Sequence, residues 1–421
     1  MDIKVFPSTF HGKVELIGSK SLSHRYLIGA ALGSQESHLE GLMDSDDLDA
    51  TKTILQALGA SIKLPLVQGP LKKTSITELN TQASGSTLRF LIPLALTLDA
   101  SFIFKGTGRL PKRSLKAYED CFKDHDVTFE RLTSDFLPLH VKGPLKPGVF
   151  KLSADVSSQF VSGLLFALPF LKGDSVIELD TPIASMPYFE MTLNVLREFG
   201  LRFEYQPERI KVPGFQTIQP LSKMIEGDYS QALFFAAGAI LGGDLILTRL
   251  PEHSLQGDAK LWEVFRSLNI HFQHQHQTIQ IASQEFDHFH LDLEDTIDAA
   301  PMLMLMSAFG KNPSTFKSLS RLQEKESDRY DAITKTLKQM NVTSHGDEQE
   351  TTIFPQTSFA SDIPFDTFDD HRMAMALMMC APKATSPYIV KGVECIDKSY
   401  PNFLSVYQSI GGQFKVLGEK S

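Results

Sequence analysis

Cysteine is scarce in this chain, and the three present, Cys121, Cys380 and Cys395, stand apart, with no C-x-x-C pair and no histidine at metal-ligating spacing. That excludes a disulfide framework and a structural zinc site, and points to a reducing compartment. No apolar run approaches the roughly 18 residues that a membrane-spanning helix needs. Nor does the start, Met1-Asp2-Ile3-Lys4-Val5-Phe6-Pro7, carry a basic run followed by an apolar segment, so a cytoplasmic protein with no membrane partner is expected. Positive charge is also short: 41 Lys and Arg against 50 Asp and Glu give a net charge of −9, which excludes nucleic acid as the main partner. The G-x-x-x-x-G-K-[ST] spacing of a nucleotide-binding loop is absent. An anionic ligand would therefore have to be held by a local cluster of cations.

With 421 residues, 42% of them hydrophobic and 22% charged, the chain is an ordinary globular sequence too long for one core, and two or more domains are expected. Near its start lies Gly18-Ser19-Lys20-Ser21-Leu22-Ser23-His24-Arg25, running directly into an apolar segment. Small residues let a loop turn, serine hydroxyls and free N–H groups at a helix start donate hydrogen bonds, and the helix dipole adds positive potential. With Lys20 and Arg25 added, the stretch reads as an anion site.

Nearly apolar, helix-like segments recur at Ser23 to Leu32, Ser86 to Leu98, Ser157 to Leu171, Asp228 to Gly242, Asp298 to Phe309 and Asp370 to Ala381, starting 63, 71, 71, 70 and 72 residues apart. Amphipathic helices alternate with them, at Ile54 to Gly59, Tyr118 to Asp126, Leu193 to Gly200, Leu261 to Asn269, Ile333 to Asn341 and Phe403 to Gly412, each followed directly by an alternating strand. Six copies of one unit, each with a buried and a surface helix, are predicted to divide three and three into two lobes of an α/β (α+β) fold.

Unusual residues collect at the entrances of the apolar helices: Lys20, Ser21 and Arg25; Gly85, Ser86 and Arg89; Ser157, Ser158 and Gln159; Asp228; Asp298; and Asp370, His371 and Arg372. Six such entrances converging from two lobes would line a cleft suited to a polyanion. Lys112 and Arg113 in a Gly/Pro-rich loop, Lys325 and Arg329, and Lys398 enlarge the pool of cations. Arginine offers forked donors to carboxylate and phosphate, and lysine can trade a proton when its pKa falls among like charges.

Eight runs in the same order make the sequence closely similar to the 5-enolpyruvylshikimate-3-phosphate synthase family, the 3-phosphoshikimate 1-carboxyvinyltransferases. They are Gly18-Ser19-Lys20-Ser21 with Arg25, Leu42 to Asp47, Ser84 to Arg89, Asp155 to Phe160, Glu226-Gly227-Asp228, Lys325 to Arg329, Asp370 to Met375, and Lys398-Ser399-Tyr400-Pro401. The resemblance implies two lobes, each of three βαβαββ units around buried helices. One would span 19–227 and mainly bind shikimate 3-phosphate. The other, 1–18 plus 228–421, would carry phosphoenolpyruvate and acid/base residues, with hinge strands near 18–19 and 225–228.

It also implies a reaction and a set of contacts. Shikimate 3-phosphate would be held by Lys20, Ser21, Arg25, Ser157, Ser158, Gln159, Ser185, Tyr188, Asp298 and Lys325, and phosphoenolpyruvate by Lys20, Gly85, Arg113, Gln159, Arg329, Arg372 and Lys398. A hydroxyl would add to C2 of phosphoenolpyruvate with a proton delivered to C3, and phosphate would then leave the tetrahedral intermediate. Asp298 is the candidate base, and Glu326 or Lys20 the candidate acid. Neither metal nor organic cofactor is implied, and a monomer is expected.

Some positions depart from the common family pattern. His24 stands where Asn is frequent, Ala83-Ser84 replace Asn-Ala, Phe90 replaces Pro, and Arg321 to Glu324 differ where an Asn often touches the sugar phosphate. The changes beside Gly85 are expected to alter affinity, or response to the inhibitor glyphosate, rather than reaction type. The rival with the same fold is UDP-N-acetylglucosamine enolpyruvyl transferase, which commonly carries a reactive Cys in a flexible loop. Here the loop from Gly106 to Ser114 has none.

Overall fold

The computed structural model describes residues 1–75 and 77–418. Among these residues are twelve α-helices and six four-stranded sheets. The helices are α1 (Lys20–Leu32), α2 (Asp46–Ala57), α3 (Gly85–Thr97), α4 (Lys116–Phe122), α5 (Ser158–Ala167), α6 (Met186–Glu198), α7 (Tyr229–Gly242), α8 (Leu261–Ser267), α9 (Ala300–Ser307), α10 (Arg329–Gln339), α11 (His371–Met379) and α12 (Phe403–Ser409). Odd-numbered helices are buried almost all round, and even-numbered ones bury a single face. Composition explains the alternation. Tyr-Ser-Gln-Ala-Leu-Phe-Phe-Ala-Ala-Gly-Ala-Ile-Leu-Gly of α7 contains no charge to solvate, whereas α10 buries Ala332, Ile333, Thr336 and Leu337 and exposes Lys335 and Lys338.

Two compact units result, residues 18–225 and residues 1–17 with 226 onward, so the chain passes between them twice. At the second passage the backbone changes allegiance within three residues: Ile225 N–H donates to the carbonyl of Glu40, and Gly227 N–H to that of Arg249. In the unit of residues 18–225, three sheets enclose α1, α3 and α5. In the other, three sheets enclose α7, α9 and α11, whose Met302, Met304, Met306, Met373, Met375, Met378 and Met379 fill the core with adaptable side chains.

The repeat is plainest in the sheet of Glu78–Asn80, Ser101–Lys105, Leu139–Lys142 and Thr128–Arg131. The first pair is parallel, with α3 between its strands, and the remaining pairings are antiparallel, giving strand, helix, strand, helix, strand, strand along the chain. Three copies are completed from distant sequence. Asp2–Phe6 inserts between Tyr388–Lys391 and Gln413–Leu417, Phe10–Glu15 lies parallel to Gly243–Thr248, and Ser222–Met224 lies parallel to Ser37–Glu40.

Three strands begin later than the sequence pattern predicts. Gly200, Asn269 and Asn341 end their helices at positive φ, as such residues do. The next residues, Leu201, Ile270 and Val342, are buried rather than paired, and the strands start at Glu204, Phe272 and Ser344. Alternation of side chains cannot distinguish the residue that seals a turn from the first residue of a ladder.

Candidate active site

In the unit of residues 18–225 the serines before the apolar helices act as caps. Ser19 Oγ accepts from Leu22 N–H at the start of α1, Ser84 from Thr87 at α3, and Ser157 from Gln159 at α5. Capping fixes the first turn of each helix, where the candidate ligand-binding groups sit. Lys20 Nζ lies 3.1 Å from Oδ2 of Asp47, which belongs to the first turn of α2. Gln159 is oriented from both ends: Arg89 Nη1 donates to its Oε1 at 2.8 Å, and its Nε2 donates to Ser86 Oγ at 2.9 Å. The Arg89 guanidinium is itself held 4.9 Å from the centre of the Phe160 ring. At Gly85 a Cβ would lie 2.9 Å from Nη1 of Arg113, so the missing side chain leaves room for that guanidinium.

Arg25 is buried and fully engaged with protein groups. Its Nε donates to Thr192 Oγ1 at 2.8 Å, Nη1 to the Ser21 carbonyl at 2.8 Å and Nη2 to the Tyr188 carbonyl at 3.0 Å. Burial lowers its pKa to about 10, which still leaves it cationic at neutral pH. Tyr188 lies in the first turn of α6. Ser185, the residue before that helix, is buried in the left-handed region at φ 53°. Arg25 thus ties the Ser21 turn of α1 to the Tyr188 turn of α6, and brings Lys20, Ser21 and Arg25 into one framework with Ser185 and Tyr188.

The other unit gathers a second cluster around Asp298, in the single 3-10 turn before α9. Its Oδ1 receives Arg329 Nη1 at 2.7 Å and lies 3.1 Å from Lys325 Nζ; its Oδ2 lies 3.5 Å from Arg372 Nη2, and its carbonyl accepts from Arg372 Nη1 at 3.1 Å. Arg329, only 1% exposed, makes four hydrogen bonds to three carboxylates. Besides Asp298 it reaches Glu326 Oε2 at 2.5 Å through Nη2 and Asp370 Oδ2 at 2.6 Å through Nε. Asp370 also caps α11, accepting from Arg372 N–H, and receives Ser327 Oγ at 3.1 Å.

Three cations and three carboxylates therefore compensate one another, Arg329, Arg372 and Asp370 buried and Asp298, Lys325 and Glu326 partly exposed. Burial alone would raise the Asp298 pKa, but Lys325, Arg372 and Arg329 together hold it well below the usual carboxylate range. Burial lowers Lys325 to about 8 despite the attraction of Asp298. Arg329 goes the other way: Asp370, Glu326 and Asp298 overcome its burial and raise its pKa. The arrangement supplies an ionised base, a second carboxylate one ion pair away, and guanidinium groups able to turn toward phosphate or carboxylate.

A family model described as EPSP synthase (3-phosphoshikimate 1-carboxyvinyltransferase) matches residues 6–407. The chain belongs to the EPSP synthase family. It is 34% identical over 417 residues to the 3-phosphoshikimate 1-carboxyvinyltransferase of Clostridium kluyveri, covering 98% of this chain and 97% of that one. It is 32% identical over 422 residues to that of Clostridium acetobutylicum, covering 97% of each. Among solved structures, EPSP synthase from Acinetobacter baumannii superposes with a TM-score of 0.82 at 22% identity, over 99% of this chain and all of that one. The enolpyruvyl transferase NikO from Streptomyces tendae gives 0.77 at 14% identity over 98% of each, so the two-lobed fold is shared well beyond recognisable sequence similarity.

Set against this family, the sequence-predicted residues fall into groups. Lys20, Ser21, Arg25, Ser185 and Tyr188 belong to one framework of the first unit, and Ser157, Ser158, Gln159, Gly85 and Arg113 to the linked starts of α3 and α5. Asp298, Lys325, Glu326, Arg329 and Arg372 form the cluster of the second unit. Lys398 is held instead by Asp369, 2.8 Å from its carboxylate and 3.1 Å from its carbonyl. Arg321, at the departure from the family pattern, donates to the carbonyl and carboxylate of Glu294. Sequence reasoning named Asp47 within a motif and placed Arg89 and Asp370 among the helix entrances, but assigned none of the three a substrate contact or a catalytic role. Arg89 and Asp370 flank helix starts that carry the assigned Gly85 and Arg372, whereas Asp47 opens α2, whose start carries none. The loop of the rival transferase has no thiol here, and burial pushes that of Cys121 up to about 12, which keeps it an unreactive thiol.

Proposed function

We propose that this enzyme, as a member of the EPSP synthase family, transfers the carboxyvinyl group of phosphoenolpyruvate to the 5-hydroxyl of shikimate 3-phosphate and releases phosphate, in the shikimate route to aromatic amino acids. The observation that carries the residue assignment is the partly buried cluster of Asp298 with Lys325, Arg329 and Arg372. In this reading the hydroxyl oxygen bonds to C2 while its proton passes to Asp298 and Glu326 or Lys20 protonates C3. A proton then leaves C3 and the C2–O bond to phosphate breaks, which restores the double bond.

Asp298 is a weak base while three cations surround it. Phosphate and carboxylate arriving on Arg329 and Arg372 would offset part of that positive field and raise its proton affinity where the hydroxyl binds. Lys20, Gly85, Arg113, Gln159, Arg329, Arg372 and Lys398 are assigned to phosphoenolpyruvate. Ser21, Arg25, Ser157, Ser158, Ser185, Tyr188, Asp298 and Lys325 are assigned to shikimate 3-phosphate, with Lys20 and Gln159 shared. Among the described residues no helix is long and apolar enough to cross a membrane. A cytoplasmic monomer is our further reading, in keeping with three buried free thiols, and sedimentation tests the oligomeric state.

Phosphoenolpyruvate carrying 13C at C2 and 18O in the bridging position tests the chemistry. The expected outcome is an enol-ether carbon on the sugar and 18O in inorganic phosphate. Retention of 18O on the organic product would mean P–O cleavage and a different reaction.

A further inference from the structure

His24, in the second turn of α1, is buried, and its ring makes one hydrogen bond. Nδ1 lies 2.9 Å from Thr51 Oγ1 on α2, and among the described residues Nε2 meets no partner. The contact continues inward. Thr51 Oγ1 lies 2.7 Å from Thr87 Oγ1 on α3, and Thr87 Oγ1 lies 2.7 Å from Ser84 Oγ and 3.2 Å from the carbonyl of Asp47. All three hydroxyls are wholly buried, so each hydrogen must be accounted for.

The count favours one direction. A carbonyl only accepts, and Ser84 Oγ already accepts from the Thr87 N–H at 3.2 Å. If Thr87 gives its single hydroxyl hydrogen to either group, its oxygen accepts from Thr51, and Thr51 must in turn accept from His24. The ring then carries its hydrogen on Nδ1 and leaves a bare lone pair at Nε2. The opposite polarity would strand an Nε2–H donor in the core and deprive the Asp47 carbonyl of its hydroxyl donor. Buried unpaired N–H groups are the rarer defect. Burial, helped by the charges of Lys20 and Arg25, lowers the ring's pKa to about 3, so it stays neutral.

The relay ends on two site elements. Asp47 is the carboxylate that holds Lys20, and Ser84 caps α3 immediately before Gly85. We propose that His24 is a positioning residue for phosphoenolpyruvate, its Nδ1–H tautomer bracing the starts of α1, α2 and α3 through Thr51 and Thr87 so that Lys20 and Gly85 keep their places. The role rests on the assignment of Lys20 and Gly85 made above.

Long-range 1H–15N correlation on 15N-histidine-labelled enzyme tests the relay, with the His24 signal identified by its loss in His24→Asn. The expected pattern is that of the neutral Nδ1–H tautomer, unchanged between pH 5 and 8. An Nε2–H pattern, or titration in that range, overturns the relay. Thr51→Val keeps the shape and removes the hydroxyl. It and His24→Leu should raise KM for phosphoenolpyruvate about tenfold, with kcat changed less than about threefold and KM for shikimate 3-phosphate unmoved. His24→Asn, whose amide can donate to Thr51, should recover most of the loss. Unchanged KM for phosphoenolpyruvate in both Thr51→Val and His24→Leu overturns the positioning role, and the labelled wild-type spectrum decides the relay even where a variant fails to fold. Lys20→Met with normal KM for phosphoenolpyruvate would remove the underlying assignment instead, and the tautomer measurement would stand apart from it.

Discussion

Arg329 places Nη1 2.7 Å from Oδ1 of Asp298, and that pair, its arginine buried and its carboxylate partly exposed, joins the candidate base to the candidate phosphoenolpyruvate clamp. A carboxylate so placed is ionised, oriented and responsive to whatever anion its arginine binds. Asp298→Asn keeps the shape and removes the proton acceptor. It should lower kcat by about 10²-fold or more, the usual worth of a positioned acid or base. Steady-state kinetics with both substrates saturating is the check, and a loss below about threefold would exclude Asp298 as the base.

Glu326 touches the same arginine at 2.5 Å, so its charge and its proton can be separated by substitution. Glu326→Gln retains a carbonyl oxygen able to accept from Arg329. Both substrates should bind within a few-fold of the parent by titration calorimetry, while turnover falls about 10²-fold. Near-normal turnover would remove Glu326 from proton transfer.

Lys20 carries its charge at the start of α1, with Asp47 as its counter-ion. In Lys20→Met, phosphate release from the two substrates should become undetectable, while the far-ultraviolet circular dichroism keeps its parent form. Retained release above about a tenth of the parent rate would deny Lys20 a role in the chemistry.

Lys325 provides a pH test. Its pKa in the folded protein is lowered to about 8, so it is charged below that pH and neutral above it. A bound phosphate would raise the value, so affinity for shikimate 3-phosphate should be flat below pH 8 and then fall by up to about tenfold per pH unit. Calorimetric titration between pH 7 and 9.5 checks the slope. Lys325→Met should bind weakly with no such slope, and a parent-like slope in that variant would assign the titration elsewhere.

Much of the fold was legible because burial leaves a strong mark on composition: a helix such as α7 with no charged residue has nowhere to lie but the core. Strand exchange left no such mark. Asp2–Phe6 pairs with Gln413–Leu417 in a ladder that joins the two ends of the sequence, and strands of three to six residues alternate alike whichever sheet they enter. In the site, the cations and the carboxylates Asp298 and Glu326 were legible through their motifs, whereas the partner roles of Asp47 and Asp370 were not. Asp370 and Asp47 stand at helix starts, where an acid is ordinarily explained by capping or the helix dipole. Only three-dimensional placement separates that role from holding Arg329 or Lys20. The hydroxyl relay from His24 was equally hidden, since Thr51 and Thr87 belong to different helices.

The central claim is that this enzyme moves a carboxyvinyl group onto shikimate 3-phosphate. The direct measurement is inorganic phosphate released from phosphoenolpyruvate with shikimate 3-phosphate or UDP-N-acetylglucosamine as the acceptor. Release with the first and none with the second is the predicted result; release only with the nucleotide sugar, or with neither acceptor, would contradict it.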